Sequence, residues 1–348
     1  MSASAAAGPL TYSLFSVIDH YPQRPRSLGQ FYDQILRQCE LAETLGYDAF
    51  FCAEHHFHEY GAVADPALFL MAVAGRTKRL RIGPAVSLLT FHDPRTIAET
   101  YSQLDLLSGG RLLFGVGSGY LKHEFGGYDI DIATKRDRFN ERLAIVRRLM
   151  AGERVSHEGK WARLRDVAIN VHPHQGKVPP IYVAVLAPDG CYWVGKQGND
   201  IMTVPYASCD RWEEVGKLMA EFRRGRAEAG LPARDDDHVF AFHTYVAESD
   251  AEARTQAKAA YDLYVATRLY AKQHTYDDVI RNGLALFGSV ETVAAKVAQL
   301  HEWGIRHVAT LHNFGGLDPQ LVERSMTRFA REVMPAVRAR LGAKKAAE

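Results

Sequence analysis

Three histidines and two carboxylates fall within six residues, Glu54-His55-His56-Phe57-His58-Glu59. Imidazole titrates near neutral pH and a carboxylate can orient it or share a metal with it, so this run is the first place to look for chemistry. It directly follows Asp48–Ala53, DAFFCA, which reads as a strand. Side chains alternate across an extended backbone, so His55 and His56 point to opposite sides and are poor joint ligands for one ion. A metal would need further ligands from elsewhere, and none is assigned. Two readings remain: a satisfied structural pair, or one histidine acting as acid, base or hydrogen-bond donor.

Gly115-Val116-Gly117-Ser118-Gly119 is a second candidate. Its spacing is GxGxG and not the GxGxxG of a dinucleotide loop, and the short turn with an acidic residue about twenty positions on is missing. Arg136 and Arg138, in TKRDRFNERL, open a helix where a guanidinium suits a phosphate; a solvated helix start is the plainer reading. Leu186-Ala187-Pro188-Asp189-Gly190-Cys191 also leads into a helix, whose free amides attract anions. Tyr120, Phe125, Tyr128, Trp193, Tyr206, Tyr264 and Tyr270 are substrate-side candidates, although large aromatics are most often core. His20 stands near the end of the first strand.

These residues need a scaffold, and the chain alternates strand and helix throughout. Strands are expected at Leu10–Ile18, Asp48–Ala53, Leu80–Leu89, Arg111–Val116, Ile181–Leu186, Asp200–Val204, Val239–Val246 and His307–Leu311. Each precedes an amphipathic stretch; Asp65-Pro66 and Asp93-Pro94 start two of the helices with an amide acceptor at the cap and a proline that lacks the amide. Eight such alternations point to an α/β fold, a single (β/α)8 TIM barrel, more than to an open sheet. Gly119–Asp137 and the polar stretch Lys272–Gly288 exceed the minimal repeat and are loop insertions expected at the C-terminal face. The region Gly152–Pro180 reads as a small excursion.

With 47% hydrophobic residues there is enough apolar side chain for one large core, so residues 10–341 are read as one barrel domain. Residues 1–9 read as a flexible leader and 342–348 as a flexible tail. A formal net charge of +1 supplies no global field for nucleic acid or an anionic membrane, which leaves a small-molecule partner. Cys39, Cys52, Cys191 and Cys209 show no paired spacing and fit a reducing, cytoplasmic setting. No apolar run approaches the ~20 residues of a membrane helix.

LGYDAFFCAEHHF with the following GAVADPALFL closely resembles the second-strand signature of the bacterial luciferase-like flavin monooxygenases. Further similar segments lie in order at Arg79–Glu99, Asp105–Gly119, Phe287–Leu300 and Asn313–Pro335, so the resemblance spans nearly the whole chain. It implies reduced FMN across the barrel mouth, O2 as co-substrate, a flavin C4a-(hydro)peroxide and oxygen transfer to a small organic substrate. By position His55 matches the family's catalytic histidine. Glu54, Ala85, Val86, Gly117, Ser118, Arg138, Ala187, Gly190 and Cys191 fall at cofactor-facing positions, with Ala85-Val86 where the family often has a non-prolyl cis peptide. Ser118 replaces a phosphate-binding arginine of bacterial luciferase, and 187–191 lacks the family's Ser or Thr donors. The resemblance further implies a separate NAD(P)H-dependent flavin reductase and a homodimer through the second and third helices. A deazaflavin-dependent dehydrogenase or reductase on the same fold, a non-catalytic flavin-binding homologue and a metal-dependent barrel hydrolase are the alternatives.

Overall fold

The structure is a computed structural model that describes residues 10–58, 61–233, 238–268 and 273–347. The expected leader, Glu59 and Tyr270 lie outside the described residues. The strands are β1 (Thr11–Ser16), β2 (Ala49–Cys52), β3 (Arg81–Pro84), β4 (Ser87–Leu88), β5 (Phe114–Gly117), β6 (Val155–Glu158), β7 (Arg163–Val167), β8 (Ile181–Val185), β9 (Asp200–Thr203), β10 (Val239–Ala247), β11 (Leu286–Ser289) and β12 (His307–Leu311). The main sheet runs β3-β2-β1-β12-β10-β9-β8-β5-β4, all pairs parallel. β3 and β4 are two pieces of one barrel position, and both approach β5. Ile82 N–H donates to Arg111 O at 2.9 Å, Leu113 N–H to Ile82 O at 2.8 Å, and Ser87 registers with Val116. Those contacts bring the two ends of the sheet together, so the TIM barrel read from the sequence is the fold.

Local chemistry starts the helices where the spacing places them. Asp65 and Asp93 accept from Ala67 N–H and Arg95 N–H, each with proline at the first helical position, and Ser27 forms a capping box with Gln30. Glu43, at the end of helix Leu28–Leu45, accepts the amides of Lys78, Arg79 and Leu80 and so fixes the approach to β3.

Three expectations need correction. The third strand, expected as Leu80–Leu89, breaks at a cis Ala85-Val86 peptide. The stretch expected as polar loop, Lys272–Gly288, holds helix Tyr276–Asn282 and begins β11, which pairs only with β10 outside the barrel path. LFGS is too short, and its glycine too weak a strand former, to show alternation. The final helix continues through Ala347, into the expected tail. The excursion at 152–180 is small, as read, and holds the antiparallel hairpin β6-β7.

Closure requires glycine at the seam. A Cβ on Gly83 would lie 2.2 Å from Leu113 O and 2.8 Å from a Phe51 ring carbon, while Gly75, in helix Pro66–Arg76, has nothing within 4 Å. Gly83→Ala is therefore expected to cost about 1–3 kcal/mol in urea melts, whereas Gly75→Ala is expected to be neutral or to gain roughly 0.5–1 kcal/mol. Equal midpoints for the two variants would show that the seam tolerates a side chain.

Candidate active site

β2 delivers the histidine run to the C-terminal end of the barrel. Phe51 packs against His307 inside the barrel, and Ala53 and His55 continue the same face of the strand. Glu54 and His56 point the other way. Gly61 accommodates this turn: a Cβ there would overlap the His55 Cβ at 2.1 Å.

The carboxylate that sets His55 comes from the insertion after β5, where helix Lys122–Gly127 packs over the histidines. His55 Nδ1 lies 3.1 Å from Glu124 Oε1, and the same oxygen accepts the His56 backbone N–H at 3.0 Å. Both side chains are buried. A carboxylate oxygen only accepts, so the proton on this edge belongs to Nδ1, and Nε2 carries the lone pair of the neutral ring. Burial pushes the His55 pKa below its ordinary value, against the opposing pull of Glu124. The insertion is held by further contacts: His123 Nε2 sits 3.1 Å from His56 O, and Phe57 lies where a Cβ on Gly127 would be, 2.2 Å away.

On the other side of the strand, Glu54 Oε1 is 2.9 Å from His56 Nε2 and 2.6 Å from His92 Nε2, and Oε2 accepts Leu88 N–H at 3.1 Å. Burial opposes its charge, but the two imidazoles outweigh that cost and hold the carboxyl below its usual value. For His92, burial is in turn outweighed by Glu54, and its pKa rises. The ligating atoms of Glu54, His56 and His92 lie within 4.8 Å of one another, which is also metal-like spacing. An ion there would have to displace two imidazole–carboxylate hydrogen bonds. The His56 Nδ1 is engaged as well, 3.2 Å from Tyr128 OH.

Beyond β3 the mouth is open and apolar. Ala85 and Val86 are half-buried, and Ala184 is exposed although its neighbours Val183 and Val185 are buried. A Cβ on Gly117 would lie 2.5 Å from Val86 Cγ2 and 3.5 Å from Ala184 Cβ. The bare backbone of Gly117, which the resemblance makes a cofactor-facing position, leaves the room that Val86 needs. Ser118 and Gly119 are half-buried, with Ser118 O accepting from Thr90 Oγ1 at 2.9 Å. Arg138 turns to the β6-β7 hairpin: its guanidinium lies 4.0 Å from the Trp161 ring centroid and its Nε donates to Thr134 Oγ1. Helix Pro188–Lys196 begins at Ala187 with no side-chain cap, so its first amides have no side-chain acceptor. Gly190 packs toward Val185, and Cys191 is buried with its thiol pushed up to about 12, so this segment offers an anion its backbone only.

The opposite side of the mouth is filled. His243 is buried among Tyr206, Tyr261, Tyr264 and Phe314, and burial pushes its pKa to about 3. Asp19, which the sequence reading passed over, is buried there too; its Oδ2 accepts Gly315 N–H at 2.7 Å and burial raises its pKa to about 6. His20 packs on Phe31. Of the other aromatics, Phe125 is core, Tyr128 joins the His56 cluster, Tyr120 is half-buried and Trp193 is exposed.

Residues 12–307 match the luciferase-like monooxygenase family. The chain belongs to that family. Among luciferase-like proteins of known structure, the monooxygenase RslO1 from Streptomyces bottropensis superposes with a TM-score of 0.84 at 29% identity, over 94% of this chain and 99% of that one. The oxygenase component of a flavin-dependent trigonelline monooxygenase from Acinetobacter baylyi is 26% identical, over 82% of this chain and 78% of its own. An F420-dependent glucose-6-phosphate dehydrogenase from Microbacterium testaceum is 27% identical, over 86% of this chain and 92% of its own. These luciferase-like relatives are oxidoreductases on one scaffold with two kinds of cofactor.

Glu124 was invisible to the sequence reading because it sits 69 positions from His55 in an insertion without strand or helix periodicity. Its effect is testable by histidine NMR: Glu124→Gln removes the charge that favours imidazolium, so the His55 pKa is expected to fall further. An unchanged or higher value would show that Glu124 does not control the ring. Because the folded pKa is depressed, the contribution of His55 to stability is full above its unfolded value and is lost as the pH falls from that value through the lower folded one.

Proposed function

We propose that this luciferase-like protein is the oxygenase of a two-component monooxygenase that takes reduced FMN from a separate NAD(P)H-dependent reductase and inserts one oxygen atom of O2 into a small organic substrate. The observation that carries the reading is a neutral, carboxylate-oriented His55 on the inner face of the strand, at an open mouth floored by Ala85, Val86 and Ala184. A planar, largely apolar ring fits small residues of this kind, and no charged side chain belongs to that floor. Bound flavin would supply the oxygen activation. The chain's own residues supply the rest: the floor orients the ring, the aromatic side excludes water, and His55 accepts or returns a proton at Nε2 while Glu124 holds Nδ1–H. Glu54 acts from behind the floor, fixing Leu88 N–H just after Val86 and so the path of the third strand.

A second reading, hydride transfer with a deazaflavin, is favoured by the likeness to the dehydrogenase. Stopped-flow mixing separates the two. Reduced FMN bound to the protein is expected to reoxidise more slowly in oxygenated buffer than free reduced FMN, and His55→Ala is expected to abolish the protection. Tight binding of a deazaflavin with no binding of reduced FMN would replace the monooxygenase reading by the dehydrogenase one.

We also propose a homodimer through helices Pro66–Arg76 and Pro94–Ser108, whose Leu68 and Leu107 are 73% and 61% exposed. Leu68→Glu with Leu107→Glu is expected to shift the protein to monomer in sedimentation, and a wild-type monomer would exclude the assembly.

A further inference from the structure

Resting on the flavin reading above, we propose that Lys135 is the cation that receives the phosphate monoester of FMN, in the place left by the serine at position 118. Lys135 opens helix Lys135–Met150, and its Nζ reaches back to Gly119 O at 3.3 Å, at the end of β5. Thr90 ties the two segments together, with its Oγ1 2.9 Å from Ser118 O and 3.4 Å from Lys135 O. The ammonium therefore stands beside the Ser118 strand end, on the β4 side of β5.

Among the described residues Lys135 pairs with a carbonyl oxygen and with no carboxylate. Burial and the neighbouring Arg136 push its pKa below the ordinary lysine value. Arg142, one helical turn further on from Arg138, is a second cation here, although the carboxylates of Asp93 and Glu141 partly offset its charge. Its guanidinium donates to the carbonyls of Leu89 and Thr90, its Nε is buried without a partner, and burial is the first cause of its lowered pKa. Two partly desolvated cations that donate to neutral carbonyls at adjacent strand ends raise the local positive potential, and a phosphate dianion beside Lys135 neutralises it. Arg138 lies in the same helix, but its guanidinium is stacked on Trp161. The Ser118 hydroxyl adds one donor without charge.

The test compares flavins that differ only in the phosphate. Anaerobic titration calorimetry measures reduced FMN and reduced riboflavin against wild type, Lys135→Gln and Lys135→Arg. Wild type is expected to prefer FMN; Lys135→Gln is expected to lose about 10–100-fold in FMN affinity, with riboflavin changed by less than about 2-fold, and Lys135→Arg to retain the preference. An FMN preference that survives Lys135→Gln would overturn the assignment while leaving the flavin reading intact. Equal wild-type affinity for the two flavins would also overturn it. Wild type that binds neither flavin would overturn the flavin reading itself. Thermal melts of the three proteins without flavin separate a lost contact from a lost fold: a Lys135→Gln melt as low as that of a core mutant would assign Lys135 to structure and remove the proposal.

Discussion

One buried carboxylate oxygen, Glu124 Oε1, holds two partners that are adjacent in sequence and opposed in direction: the His55 ring and the His56 amide. Leaving a carboxylate in an apolar interior is unfavourable unless hydrogen bonds replace its lost water. Here the compensation comes from the chain it must position, so the insertion after β5 and the end of β2 are ordered together. Hydrogen bonds to a charged group contribute roughly 1.5–3 kcal/mol each, enough to decide the conformation of a surface insertion. Phe57 against Gly127 and His123 against the His56 carbonyl then close the sides of the same junction.

Glu54 repeats the arrangement on the far side of the strand, and the two carboxylates give neighbouring imidazoles different jobs. His55, against Glu124 but inside the barrel, has its pKa lowered, whereas His92, partly open to solvent and against Glu54, has its pKa raised. The sign in each case follows from whether desolvation or the carboxylate is larger. Groups pushed apart in this way can hold different protonation states at one pH, which suits a proton-handling ring inside the mouth and a structural clasp behind it.

The alternation of strand and helix, the Asp-Pro helix starts and the strand end that carries Glu54, His55 and His56 were legible in the sequence because each is local. His55 was singled out by the family resemblance, and alternation said only that it and His56 point to opposite sides; the structure adds that His55 lies on the inward face with Phe51. What the sequence did not disclose was pairing across the fold: Glu124 with His55, His92 with Glu54, and Asp19 with Gly315. The Gly115-Val116-Gly117 run was visible as a motif, but the occupant of its missing side chains, the Pro84 carbonyl and Val86, belongs to another strand. Cys191 and Arg138 show the same limit. Their positions were fixed by the pattern, whereas their directions, into the core and onto Trp161, depend on neighbours that a single chain of letters does not specify.

The mouth is asymmetric because its two halves solve the packing problem differently. On the half from β3 to β8 the strands approach closely, and glycine and alanine are what such close approach allows; the result is a shallow, open floor. On the half from β9 to β12 the space is taken by Tyr206, Tyr264 and Phe314 around His243, whose burial keeps its ring neutral at any pH near 7. His55 extends from β2, beside the β3 end of the open half. Its ring is held there at Nδ1 by Glu124. On the proposed flavin reading, with the ring on the floor and His55 handling the proton, the aromatic half is the part of the mouth left to meet the substrate.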